Sequence, residues 1–214
     1  DINGADIHLS LWNQLRWLSN RPEHHVLGNH LFSNAKALLF GGVFFEGKEA
    51  DDMIRQALQI IDKELDEQFH ADGSQFERSP MYHALAMEDL LDIHNIRASL
   101  EDRFDFSRIV KKVEDGLSWL EDFTYANGEY AHFNDSANGI APTLSALKAY
   151  ASRLGLTVHG SDNSTLWLHS DSGHAIYKKD GMHLIADVGR LCPDYLMAHA
   201  HADTLSFELE WRAQ

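Results

Sequence analysis

The stretch MAHAHADTLSFELEW, residues 197 to 211, sets two histidines and an aspartate at alternate positions ahead of an apolar series. Read as one extended segment, it turns His199, His201, Asp203, Leu205, Phe207, Leu209 and Trp211 to one side. Imidazole and carboxylate groups on the same side as a core stripe need partners, because burying them alone is costly. A metal ion or a bound substrate would supply those partners, and so would backbone hydrogen bonds at the end of a sheet. His-x-His presents two imidazoles from one strand, and Zn²⁺ favours nitrogen ligands with an oxygen completing a tetrahedron.

Two further groupings could carry chemistry. In RSPMYHALAMEDLLDI, Ser79 is placed to cap a helix that starts at Pro80, which puts Tyr82 and His83 in its first turn. The helix dipole there favours negative charge, so a phenol at Tyr82 is expected to ionise more easily than in water and to serve as a proton shuttle. The other reading is a ring packed on the core with its hydroxyl on a backbone carbonyl. In VLGNHLFSNAKALLFGG, residues 26 to 42, Asn29 and His30 stand among apolar residues. An amide and an imidazole can together donate hydrogen bonds to a carboxylate, or they can be a helix cap and a satisfied core histidine. EYAHFNDSANG adds His132, Asn134 and Asp135 in a loop suited to turn hydrogen bonds or to a sugar.

Helices and strands must position these groups. From Leu9 to about Gly155 apolar residues recur at helical spacing and stop at Gly41-Gly42, Asp72-Gly73 and Asn127-Gly128, which predicts five or six helices. Beyond RLGLTVHGSDNST the pattern shortens to TLWLHS, GHAIYKK, MHLIADVG and LSFELEW, with Asp180-Gly181 between two runs as a hairpin turn. The organisation read from this is helical over residues 1–157 and antiparallel β over 158–214, an α+β arrangement. A half-buried final strand ending at Gln214 would leave an open edge, so the chain is expected to continue in a longer protein.

Composition narrows the function. The 214 residues carry a formal net charge of −15, which argues against nucleic acid and against nonspecific adhesion to anionic surfaces. No apolar run approaches the roughly 20 residues of a membrane span, and the first ten residues do not read as a signal peptide. The single cysteine, Cys192, is expected to be a small buried hydrophobe.

Four blocks in order resemble the heparinase II/III-like polysaccharide lyases, with relatives among alginate lyases: GNHLFSNAKALLFGGVFFEG, DGSQFERSPMYHALAMEDLLD, HFNDSANGIAPTL and PDYLMAHAHADTLSFELEW. The resemblance implies an incomplete (α/α) toroid followed by an antiparallel β-sandwich that is truncated at the C-terminus. It implies β-elimination at a uronic acid in an anionic polysaccharide or oligosaccharide, and a periplasmic or secreted location. On this likeness Asn29 with His30 would neutralise the uronate. Tyr82 would protonate the leaving oxygen, and His199 would be the base or its partner. Glu77, Arg78, His132 and Asn134 would bind substrate. His201 matches a structural zinc position whose other ligands would lie beyond Gln214.

Two other functions compete. A glycoside hydrolase on this scaffold would need two carboxylates about 5 to 10 Å apart across a cleft, drawn from Glu77, Asp135 and Asp203. A noncatalytic glycan-binding or polysaccharide-assembly protein would bind polyuronides without cleaving them.

Overall fold

The computed structural model describes residues 4–100, 103–158, 160 and 165–212. Among the described residues six α-helices precede four strands: α1 (Gly4–Ser19), α2 (Gly28–Phe44), α3 (Lys48–Gln68), α4 (Pro80–Asn95), α5 (Ser107–Asp122), α6 (Leu144–Arg153), then β1 (Leu166–His169), β2 (His174–Lys179), β3 (Met182–Asp187) and β4 (Phe207–Trp211). The change from helix to strand thus falls between Arg153 and Leu166. Residues 159 and 161–164 around that change, and the last two residues, on which the open-edge expectation rested, lie outside the described residues. No described helix is long and apolar enough to cross a membrane.

The chain divides into two compact units, Asp1–Asp66 with Ile96–Asp105, and Glu67–Asn95 with Phe106–Gln214. In the first, α2 buries Leu31, Phe32, Ala35, Leu38 and Leu39, a helix-spaced series. Gly41 faces α1: a Cβ there would stand 2.3 Å from a methyl of Leu15, so a larger residue would force that side chain to move.

In the second unit α4, α5 and α6 pack together, and Met87, Leu90, Leu91, Val113, Leu117 and Leu120 are buried. Ser79 Oγ accepts the Tyr82 amide proton at 3.4 Å, so α4 begins with the cap its sequence indicates. The four strands form one antiparallel sheet in sequential order. Asp180 and Gly181, with φ of 50° and 81°, turn β2 into β3, as Asp-Gly does in a tight hairpin.

The inner face of the sheet is tied to the helices by Asp122 at the end of α5. Its buried carboxylate accepts from His169 Nε2 at 2.9 Å, Lys178 Nζ at 2.9 Å and Trp167 Nε1 at 3.0 Å. Burial alone would raise its pKa, but the hydrogen bonds from His169 and Lys178 outweigh it and hold the carboxyl below the usual range. Asp72 makes a second tie, accepting the backbone N–H groups of Asp171 and Ser172 at 3.0 and 2.8 Å.

The outer face of the sheet is apolar. The register lines up Leu166, Tyr177, Leu184 and Leu209 in one row and Leu168, Ala175, Ala186 and Phe207 in the next. Leu166, Leu168, Phe207 and Trp211 are each more than half exposed. This corrects the expected burial of the alternate residues in LSFELEW: Phe207, Leu209 and Trp211 face outward, while Glu208 and Glu210 turn in. The inward glutamates have partners, Glu208 accepting from Tyr125 Oη at 2.8 Å and from the His132 amide at 2.7 Å. Contiguous apolar faces of this kind bind hydrophobic probes. Changing Phe207, Leu209 and Trp211 together to threonine is expected to cut fluorescence of an apolar dye on this 214-residue chain several-fold. Unchanged dye binding would show that the probe reads another surface.

Candidate active site

The loop before α4, the loop after Phe133 and the segment before β4 meet at His199. Its Nδ1 lies 3.1 Å from Asp135 Oδ2, and its Nε2 lies 3.8 Å from Glu77 Oε2. The Tyr82 ring stands over the imidazole, with centroids 4.1 Å apart and planes inclined at 45°. Glu77 is deeply buried, the Asp135 carboxylate is half exposed, and His199 is 15% exposed, so one imidazole links the interior to the surface.

Asn134 pins these segments to one another. Its left-handed backbone, with φ of 52°, suits asparagine better than most residues. Its side-chain amide donates to the carbonyls of Glu77 and Arg78 at 3.4 and 3.3 Å, and its carbonyl oxygen accepts the His201 amide proton at 3.3 Å. Its own backbone N–H donates to Asp203 Oδ2 at 2.5 Å. Ser79 Oγ bonds the Asp135 carbonyl at 3.1 Å and Ser136 Oγ at 2.9 Å, so the residue that caps α4 also fastens the Asp135 loop.

Tyr82 departs from its expected chemistry. Burial comes first, then the charges of Asp135 and Glu77, and together they raise the phenol's pKa above its ordinary value. Burial and the two nearby carboxylates outweigh the N-terminal position on α4. Tyr82 is therefore held protonated at neutral pH.

The expected extended run from His199 to Trp211 is broken: turns close at Met197–Ala200 and Asp203–Ser206, Leu205 has φ of 67°, and the strand begins only at Phe207. His199 and His201 therefore do not share a strand face, and the His201 side chain is exposed. Among the described residues no group of three or more His, Cys, Asp or Glu side chains is arranged to hold a metal ion. The resemblance places the other ligands expected with His201 beyond Gln214. Arg78, expected on the substrate, donates from its guanidinium to the carbonyls of Arg190 and Asp171 and clamps those loops. His132 is exposed and takes part through its backbone N–H.

Asn29 and His30 belong to the other compact unit. They occupy the first turn of α2, whose N-cap is Leu27 with φ of 66° and no side-chain cap, so Asn29 is not the capping residue. His30 is exposed, with Nδ1 3.6 Å from Glu23 Oε2. Asn34 and Glu23 exchange two hydrogen bonds of 2.9 Å, which secure the chain entering the helix.

The chain matches the heparinase II/III N-terminus over residues 7–154 and the heparinase II/III-like C-terminal family over residues 161–214, so it belongs to the heparinase II/III family. It is 33% identical over 112 residues to a heparin-sulfate lyase of Pedobacter heparinus, a match covering 51% of this chain and 17% of that protein. A heparin-sulfate lyase of Bacteroides stercoris is 37% identical over 89 residues, covering 37% of this chain and 13% of the relative. The crystal structure of heparinase III superposes on 95% of this chain and 36% of its own, with a TM-score of 0.80 at 22% identity. The matches therefore span 17% and 13% of the lengths of these two curated relatives.

Proposed function

We propose that this protein is a polysaccharide lyase that cleaves a uronic-acid-containing glycan by β-elimination, with heparan-type chains the first substrates to try. The observation that carries this reading is the contact between the Tyr82 ring and the His199 imidazole, a proton donor beside a proton acceptor. In the reaction, His199 takes the C5 proton. The electron pair left on C5 forms the C4=C5 bond and expels the C4 oxygen, which takes the Tyr82 hydroxyl proton. The proton gained by His199 then restores Tyr82, and both groups return to their starting state.

The obstacle is the negative charge already on the C5 carboxylate, which must be neutralised before the proton becomes acidic. The family resemblance gives that task to Asn29 and His30. The relatives' names support the anionic polysaccharide. The hydrolase reading finds less support, because Glu77 and Asp135 both flank one imidazole.

Incubating the full-length protein with heparan-type, alginate-type and bacterial exopolysaccharide polyuronides, and following ultraviolet absorbance of the conjugated product, tests the proposal. A rising trace on one glycan is expected. Tight binding without cleavage across the panel would favour a glycan-binding protein, and a saturated product would favour a hydrolase.

A further inference from the structure

Resting on the lyase reading, we infer that Asp135 is the positioning residue of the reaction, fixing the tautomer and orientation of His199. A carboxylate only accepts hydrogen bonds, so an imidazole nitrogen 3.1 Å from Asp135 Oδ2 must carry a proton. That makes Nδ1 the protonated nitrogen and leaves the lone pair of neutral His199 on Nε2. The carboxylate facing Nε2, Glu77 Oε2, stands at 3.8 Å, beyond hydrogen-bond length, so it does not hold that nitrogen. When Nε2 takes a proton, Glu77 is close enough to stabilise the new charge.

The Asp135 loop is built to hold this geometry. Ser79 holds its carbonyl and Ser136, and the neighbouring Asn134 ties residues 77, 78 and 201 together. The carboxylate is thereby set before substrate arrives, while Tyr82 covers the ring from one face. A carboxylate that orients a base histidine acts through it and need not touch the sugar.

The test is made on the full-length protein with isotope-labelled histidine. Imidazole nitrogen shifts of His199, identified by their loss in His199→Gln, are expected to report the Nδ1–H tautomer. In Asp135→Asn the side-chain amide can turn its NH₂ to Nδ1, and the Nε2–H tautomer is expected to take over. On the cleaved glycan, Asp135→Asn should lose about 10² to 10⁴ in kcat with KM nearly constant, and Asp135→Glu should recover part of it. An Nε2–H tautomer in the unchanged protein, or full kcat in Asp135→Asn, would overturn the assignment. The shifts decide the tautomer whether or not a glycan is cleaved, so failure of the lyase reading and failure of the positioning role give different results.

Discussion

Replacing Tyr82 by phenylalanine is expected to lower kcat for the cleaved glycan by about a thousandfold while leaving KM within a small factor. Phenylalanine keeps the ring that packs over His199 and removes only the hydroxyl, so the change isolates the proton donor. Burial and the charges of Asp135 and Glu77 keep the phenol protonated, so its hydroxyl proton is present to be transferred. Loss of activity through ionisation of Tyr82 therefore belongs above pH 10, and an alkaline limb at lower pH has another source. Initial rates of unsaturated product give the answer, with circular dichroism confirming the fold. A variant with undiminished kcat would remove Tyr82 from the reaction and pass the proton donor's role to another group. A variant with normal kcat but a much higher KM would make it a binding residue.

Local signals in the sequence carried the elements further than they carried the site. Ser79 and Pro80 marked the start of α4, and Asp180-Gly181 marked the β2–β3 turn, because caps and tight turns depend on a few adjacent residues. The alternation in LSFELEW did announce a strand. It led to error upstream, where turns at residues 197–200 and 203–206 interrupt the backbone, and it assigned the wrong face as buried. An isolated period of two cannot say which side meets the helices. Here Glu208 and Glu210 go inward because Tyr125, Ala126 and His132 offer them donors.

Tyr82 and His199 were legible as reactive types, and the structure brings them together. That Asp135 would orient His199 was not legible, since the two are 64 residues apart and a loop aspartate reads as turn chemistry. The acidity of Tyr82 was misjudged for the same reason. A helix end is visible in sequence, whereas the carboxylates that outweigh it arrive only through tertiary contacts. The Asp122 network with His169 and Lys178 was equally hidden, its members lying on a helix and two strands.

Acidification is expected to unfold the second unit well before its carboxylates are fully protonated, because several of its histidines are buried neutral. His83 Nδ1 accepts the Gln75 amide proton at 3.1 Å, so its Nε2 must carry hydrogen and donate to the Gly116 carbonyl at 2.8 Å. A second proton on that ring would face a donor, and burial pushes its pKa down to about 4. His174 is packed among Trp119, Phe123 and Phe133, and neither ring nitrogen has a hydrogen-bond partner among the described residues. Burial, then the charges of His169 and Arg78, push its pKa down to about 3. Burial also lowers His70 and His183.

The sign follows from linkage. Above pH 6.5 these rings are neutral in both folded and unfolded chains and contribute no pH dependence. Below 6.5 the unfolded chain binds protons that the folded chain refuses, so stability falls until the folded values are reached. For His83 alone that is roughly 3 kcal/mol by pH 4, against a total of about 5–15 kcal/mol for a typical domain. Asp72 and Asp122, held below the usual carboxylate range, lose their contribution only as pH falls further. The urea midpoint is therefore expected to drop steeply between pH 6.5 and 4. In His174→Leu the same curve should be flatter, with stability at pH 7 preserved, because leucine suits the aromatic walls and leaves no polar atom unbonded. A midpoint that stays level across that range would mean that the four imidazoles gain partners or protons in the folded chain. Equal slopes for the two proteins would place the acid sensitivity at His83, His70 and His183 rather than at His174.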